Sequence, residues 1–183
     1  MQEVRLHGRG GQGAVTSAEL IATAAINKGK FAQAFPSFGP ERRGAPVVAF
    51  SRVDEKKINI RAKVYSPDIV IVLDPGLLSL LDPTDGMKAD GILVLNTKKD
   101  PDEIRDKYGY KCKIITIDAN KIALKELGRL IVNTTMLGAF LKATDALTLE
   151  DIETPLMDRF GAKLGGKNMI ALRRAYEEAI IKE

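Results

Sequence analysis

Near the start of the chain a short apolar strand, Val4-Arg5-Leu6, runs directly into His7-Gly8-Arg9-Gly10-Gly11-Gln12-Gly13, and an Ala-rich helix follows over about 14–27. No other stretch restricts the fold as much. Gly8, Gly10 and Gly13 satisfy the spacing G-x-G-x-x-G. Glycine permits the tight turn and close backbone approach, and the helix opening behind it offers unpaired N–H groups and the positive end of a dipole. Such a loop suits a phosphate, a pyrophosphate or a carboxylate. A tight strand-to-helix turn with no ligand gives the same pattern.

A dinucleotide fold normally ends its second strand with an acid that holds the ribose, about 20 residues beyond the loop. Here the second apolar strand, about 31–35, ends in Pro36-Ser37-Phe38-Gly39, and the first carboxylate after Glu19 is Glu41. Arg42 and Arg43 come late for a 2′-phosphate. An NAD(P)-dependent enzyme and a stand-alone nucleotide-binding module are therefore the secondary readings.

Strand-length apolar runs continue at 47–53, 69–73, 92–95 and 114–117, with Ile58-Asn59-Ile60 returning as a hairpin beside the third strand. The unbroken run Ile69-Val70-Ile71-Val72-Leu73 predicts a strand covered on both faces, as in a central parallel sheet. Helical stretches fall at 77–81, 102–108 and 119–127, the last capped by Asp118. Beyond residue 117 the strands stop, and helices are predicted at 130–141, 149–160 and 167–182, with Thr148 and Asp151 forming a capping-box start. The pattern predicts an α/β fold, a three-layer Rossmann-like domain with a mostly parallel sheet and a helical C-terminal third. At 183 residues the chain suits a single domain over 1–183 with a sizeable core.

The net charge of +4 is spread along the chain, and the pairs Lys56-Lys57 and Lys98-Lys99 read as solvated faces. With no Trp and few aromatics, no nucleic-acid platform is expected. No run approaches the roughly 18 apolar residues of a membrane span, and a strand directly after Met1 leaves no signal peptide, so the expected location is the cytoplasm. Cys112 is the sole cysteine, which rules out a four-thiolate cluster within this chain. Its flanking Lys111 and Lys113 could lower its pKa, against the simpler reading of an inert edge thiol. The sole histidine, His7, either touches a ligand in the loop or caps the strand end.

A second loop, residues 35–46, is stiffened by Pro36, Pro40 and Pro46 and presents Glu41, Arg42 and Arg43. Guanidinium forks suit phosphate and carboxylate, and rigid charged loops tend to be binding surfaces. The alternative is a surface ion pair of little worth.

Gly8-x-Gly10-Gly11-Gln12-Gly13 opening a helix, followed by Gly39-Pro40-Glu41-x-Arg43-Gly44 before a Val-rich strand, resembles the gamma subunit of 2-oxoacid:ferredoxin oxidoreductases. The resemblance continues through Ser66-Pro67-Asp68-Ile69-Val70, Asp74, Asn133-Thr134-Thr135-Met136-Leu137-Gly138-Ala139 and Gly166-Lys167-Asn168-Met169, nearly the whole chain. It implies one part of a complex that converts a 2-oxoacid, with coenzyme A, into acyl-CoA, carbon dioxide and reduced ferredoxin. Thiamine diphosphate, Mg2+ and iron–sulfur clusters would lie on alpha, beta and delta-type partner subunits, with none held tightly here and no catalytic residue in this chain. Pyruvate is the first expectation among several 2-oxoacids. Gly8, Gly10, Gly11, Gln12, Gly13 and Arg43 are then the candidate ligand-binding residues. Gly39, Glu41, Arg42, Gly44 and Asn133 form the ligand-or-interface set. Asn133 sits on an otherwise apolar helix, either buried against the glycine loop or exposed.

Overall fold

The structure is a computed structural model, in which residues 1–37 and 43–182 are described. A seven-stranded sheet carries the order β2-β3-β1-β4-β5-β6-β7. Its centre is parallel: β1 (Gln2–Arg9), β4 (Ile69–Val72), β5 (Ile92–Asn96) and β6 (Lys113–Ile117). On one side the meander of β3 (Pro46–Asp54) and β2 (Phe31–Pro36) adds antiparallel to β1. On the other, β7 (Ile180–Lys182) pairs antiparallel with β6. Val4 faces Ile69 and Leu6 faces Ile71 across β1 and β4. This continuous apolar register accounts for the deep burial of the run 69–73.

One face of the sheet carries α1 (Ala14–Asn27), α3 (Ala119–Leu127), α4 (Asn133–Leu141) and α5 (Leu149–Glu178). Leu6, Ile21, Ile71, Phe140 and Leu172 are fully enclosed between sheet and helices. The helices α4 and α5 approach so closely at Gly138 that an added Cβ would lie 2.1 Å from the Leu172 carbonyl oxygen. The opposite face carries a smaller cluster of Val70, Val72, Leu93, Leu95, Ile104 and Ile114 under α2 (Pro101–Tyr108). Asp100 opens α2 as a reciprocal capping box with Glu103, a stop-and-start signal encoded within four residues.

Several expectations are corrected. Ile58-Asn59-Ile60 forms no strand. It lies in the 55–68 segment, tied to β2 by Gln33 Nε2 donating to the Ile58 carbonyl at 3.2 Å. The helix expected from Leu130 begins at Asn133. The Leu77–Leu81 stretch is a 3₁₀ turn over Pro75–Ser79, capped by the Asp74 carboxylate. The two final helices join into α5, broken at Gly161, whose φ of 72° and ψ of 164° belong to a region open essentially only to glycine. The Thr148 and Asp151 capping box holds, with the Thr148 N–H donating to Asp151 at 2.8 Å. The chain ends in β7 rather than in helix, because Lys182 Nζ bridges Asp100 and Asp102 on α2 and Ile180 pairs with Thr116. Among the described residues no helix is long and apolar enough to cross a membrane.

Candidate functional site

The glycine loop stands at the C-terminal edge of β1, beside the ends of β4 and β5, where open α/β sheets bind ligands. A lattice of hydrogen bonds supports it. The Arg9 N–H donates to Gln12 Oε1 at 2.7 Å, and Gln12 Nε2 donates to Asp74 Oδ2 at 3.2 Å. Arg9 Nε reaches the same carboxylate oxygen at 2.7 Å, while Asp74 Oδ1 accepts the Gly76 N–H at 2.8 Å. Burial alone would raise the Asp74 carboxyl, yet the Gly76 N–H, Arg9 and Gln12 together hold it below the ordinary carboxylate range. Gln12 is therefore a strut of the loop, and Asp74 is its anchor at the end of β4.

The second loop is clasped to the first at its base. Gly10 N–H donates to the Ala45 carbonyl at 2.8 Å, Gly44 N–H donates to the Gly10 carbonyl at 3.1 Å, and Arg9 Nη1 reaches the Gly44 carbonyl at 3.2 Å. Arg43 pairs with Gly10 as an isolated bridge, and its side chain is exposed. Gly39, Glu41 and Arg42 lie outside the described residues.

The loop's own N–H groups divide between two duties. Those of Gly10 and Gln12 are spent on Ala45 and Arg9. Those of Gly11 and Gly13 have no hydrogen bond among the described residues. The first turn of α1 has no side-chain cap and no acid to neutralise its positive end. Gly8 packs inward, where an added Cβ would meet Leu73 and Ala14 at 3.2 and 3.4 Å, so its place is in helix–sheet contact rather than ligand contact. Gly13 combines a φ of 82° with a Cβ position only 2.5 Å from Asn133 Nδ2. Only glycine satisfies both demands at that point.

Asn133 is thus buried against the glycine loop, at 5 % exposure, one of the two placements its sequence context left open. Its backbone carbonyl accepts the Ser17 hydroxyl at 3.2 Å, while its side-chain Oδ1 is buried with no partner among the described residues. Two clefts flank the loop and share Gly11, Gln12 and Ile131. One, of about 330 Å3, lies over the strand ends with Asp74, Asn96 and Asn120. Asn96 is committed there, donating to the Leu73 carbonyl at 2.9 Å and accepting the Ala119 N–H at 3.1 Å. The other, of about 490 Å3, lies toward α5 with Arg129, Asn133, Arg159 and Lys167. Spacing could not reveal this cationic wall, since Arg129, just after α3, and Lys167, on α5, come to one cleft only through tertiary packing.

His7 takes neither role left open for it. Its ring lines neither cleft and caps nothing; both nitrogens are buried and unpartnered among the described residues. Burial, with the Arg5 charge adding, pushes its pKa down to about 4. Cys112 is buried in the smaller core, and burial pushes its thiol up, which removes the reading of a lysine-activated nucleophile. Among the described residues no group of three or more His, Cys, Asp or Glu could hold a metal ion.

Comparison with known proteins identifies the family. A family model described as pyruvate ferredoxin/flavodoxin oxidoreductase matches residues 3–178. The pyruvate/ketoisovalerate oxidoreductases common subunit gamma of Pyrococcus abyssi is 52 % identical over 184 residues, covering all of both chains. Pyruvate synthase subunit PorC of Methanocaldococcus jannaschii is 51 % identical over 182 residues, covering all of this chain and 99 % of that one. The crystal structure of pyruvate oxidoreductase subunit PORC from Thermotoga maritima superposes with a TM-score of 0.87 at 42 % identity, covering all of this chain and 98 % of that one. A 2-oxoglutarate:ferredoxin oxidoreductase chain from Magnetococcus marinus shares the fold over 96 % of this chain and 30 % of its own length, at a TM-score of 0.77 and 21 % identity. With the family model spanning residues 3–178 and the Pyrococcus and Methanocaldococcus subunits matching over their whole length, the chain belongs to the pyruvate ferredoxin/flavodoxin oxidoreductase family, as a gamma subunit.

Proposed function

We propose that this gamma subunit serves a pyruvate-type 2-oxoacid:ferredoxin oxidoreductase and that its glycine loop holds the diphosphate of coenzyme A. The complex converts the oxoacid and CoA into acyl-CoA, carbon dioxide and reduced ferredoxin. Alpha, beta and delta-type subunits supply thiamine diphosphate, Mg2+ and the iron–sulfur clusters. The donor set of this chain does not suit a cluster or a metal ion: its single cysteine is buried in a core, and among the described residues no group of three or more His, Cys, Asp or Glu comes together, so no reaction step is assigned to it.

The observation that carries the ligand reading is the conjunction at Gly11–Gly13. N–H groups and an Asn133 Oδ1 that have no partner among the described residues meet an uncapped helix N-terminus where two clefts join. An anionic diphosphate answers the N–H groups, and a neighbouring hydroxyl or amide donor of the same ligand answers Asn133. Arg43, held against Gly10 with its side chain exposed, adds charge from the second loop. Gly8 and Gln12 support the loop, and Gly44, bound to Gly10, lies beside it on the side we assign to the partner subunits.

Arg43→Ala in the co-expressed, anaerobically purified complex tests this. The expected result is an intact assembly with its iron–sulfur absorption, an unchanged kcat and a KM for CoA raised about tenfold. Loss of the gamma chain from the complex, with CoA binding by the remainder unaffected, would assign the loop to the interface instead.

A further inference from the structure

The edge of the sheet opposite the glycine loop carries a different kind of surface. Between Asp54 at the end of β3 and Ile69 at the start of β4 the chain forms neither helix nor strand. Both ends of this strap lie at the N-terminal end of β1, where Gln2 pairs with Val53 and Val4 with Ile69. The strap is anchored at several points. Its Ile58 carbonyl accepts Gln33 Nε2 at 3.2 Å, and Val64 is buried. The Pro67 carbonyl accepts the Lys88 N–H at 3.2 Å, and the Asp68 carboxylate accepts the Glu3 N–H at 2.7 Å. Irregular segments longer than about 12 residues are uncommon in compact domains, and an anchored one usually has a function.

Lys56 and Lys57, a solvated pair by sequence, are joined on the strap by Arg61 and Lys63, and all four residues are exposed. None of the four makes an ion pair among the described residues. The neighbouring acids are already answered by other cations. Asp54 pairs with the Met1 amine at 3.4 Å, Glu55 with Lys30 at 2.6 Å and Asp68 with Lys88 at 2.6 Å. Ile60 and Tyr65 stand among the four cations, 46 % and 70 % exposed. The glycine-loop edge differs, since its exposed Leu130 and Ile131 line a cleft. Lysine is depleted from the cores of lasting interfaces, whereas brief electron-transfer encounters bury little area and are guided by complementary charge.

We propose that the strap, over residues 56–65, is a docking surface for the acidic face of ferredoxin. Lys56, Lys57, Arg61 and Lys63 meet carboxylates of the carrier, and Ile60 and Tyr65 supply the apolar contact. This rests on the reading of the chain as part of a ferredoxin-reducing complex and adds to it a surface separate from the glycine loop. Four cations without acidic partners on one strap draw an acidic protein in over about a Debye length, ~8 Å at physiological salt, so their effect falls on the rate of encounter and weakens as salt rises.

The test compares the co-expressed, anaerobically purified complex with its Lys56→Gln/Lys57→Gln/Arg61→Gln/Lys63→Gln variant. Each is assayed with pyruvate, CoA and either ferredoxin or methyl viologen, a small dication that needs no cationic docking surface. All four residues are exposed, so the fold is expected to survive, as circular dichroism will check. At low ionic strength the variant is expected to lose about tenfold in kcat/KM for ferredoxin, and the two complexes are expected to converge at high salt. With methyl viologen the rate and the KM for CoA are expected to match wild type. Equal kcat/KM for ferredoxin at low salt overturns the docking surface while leaving the complex assignment standing. An equal loss with methyl viologen, or loss of the gamma chain from the complex, also overturns it and assigns the strap to assembly. A wild-type complex that reduces ferredoxin with no 2-oxoacid overturns both readings.

Discussion

The two faces of the sheet are built on different principles. Under α1, α4 and α5 the inward side chains are aliphatic or aromatic apart from the uncharged Ser17, Asn133, Thr134, Thr135 and Asn168, and Leu6, Ile21, Phe140 and Leu172 are fully enclosed. On the opposite face of β1 and β3, Glu3, Arg5, His7 and Arg52 alternate into a polar layer. Arg52 is 1 % exposed, pairs with Glu3 at 2.7 Å and stacks over Phe35 at 5.3 Å. Arg5 donates to the Pro83 and Asp85 carbonyls at 2.9 and 2.6 Å. Arg5 Nε, Arg52 Nη1 and both His7 nitrogens are buried without a partner among the described residues. The apolar face supplies stability that acid does not touch, because its enclosed side chains carry no titrating group. The polar face holds the buried His7, whose protonation makes this face sensitive to acid.

The largest effect is expected on the apolar face. Phe140→Ala empties a site with no exposed surface, and the unfolding free energy from urea denaturation is expected to fall by about 3–5 kcal/mol. A loss under about 1 kcal/mol would show that α4 collapses onto the sheet more freely than its packing implies.

The polar face is tested by pH. The His7 pKa is lowered from 6.5 to about 4 in the folded protein, so the unfolded chain binds this proton first as the solution is acidified. Stability from this group is complete above pH 6.5 and is lost as pH falls toward 4, by about 3 kcal/mol in total. His7→Leu removes the titration and the two orphaned nitrogens. Its stability is expected to equal or exceed wild type near pH 7 and to exceed it by a growing margin below pH 6. Parallel stability–pH curves for the two proteins would contradict this.

Where the apolar core meets the site, Gly13→Ala forces a side chain onto a φ of 82° and against Asn133. The expected cost is about 1–3 kcal/mol, and a double-mutant cycle with Asn133→Ala should return the steric part while leaving the backbone part. Full additivity of the two substitutions would mean that loop and helix do not press on each other. The smallest effect is expected at the exposed pair of Arg173 and Glu153, 3.2 Å apart, where Arg173→Ala should change stability by under about 0.5 kcal/mol.

Much of this molecule is legible in the order of its residues. The strand–loop–helix order at Val4–Asn27, the buried run at 69–73 and the capping box at Thr148 are local patterns, and each forms as expected. Misreadings arise where local pattern competes with distant partners. Ile58–Ile60 alternates like a strand, but it joins no strand of the sheet and is tied to β2 through the Gln33 side chain. Residues 180–182 continue the polar and apolar alternation of a helix, yet β6 offers them an open edge and α2 offers acids for Lys182.

The chain's own order of residues determined the sheet-and-helix class and the glycine turn, because those depend on periodicity, φ preference and spacing along a few neighbours, and the family was legible as a resemblance of motifs. Tertiary structure alone decided that Gly10 clasps Ala45, that Asn133 presses on Gly13, that His7 is stranded between strands, and that Arg129 and Lys167 share one wall. The pairing of β1 with β3 brings Gly10 to Ala45, the sheet's second face encloses His7, and the packing of the helices brings the other pairs together; no local preference encodes any of them.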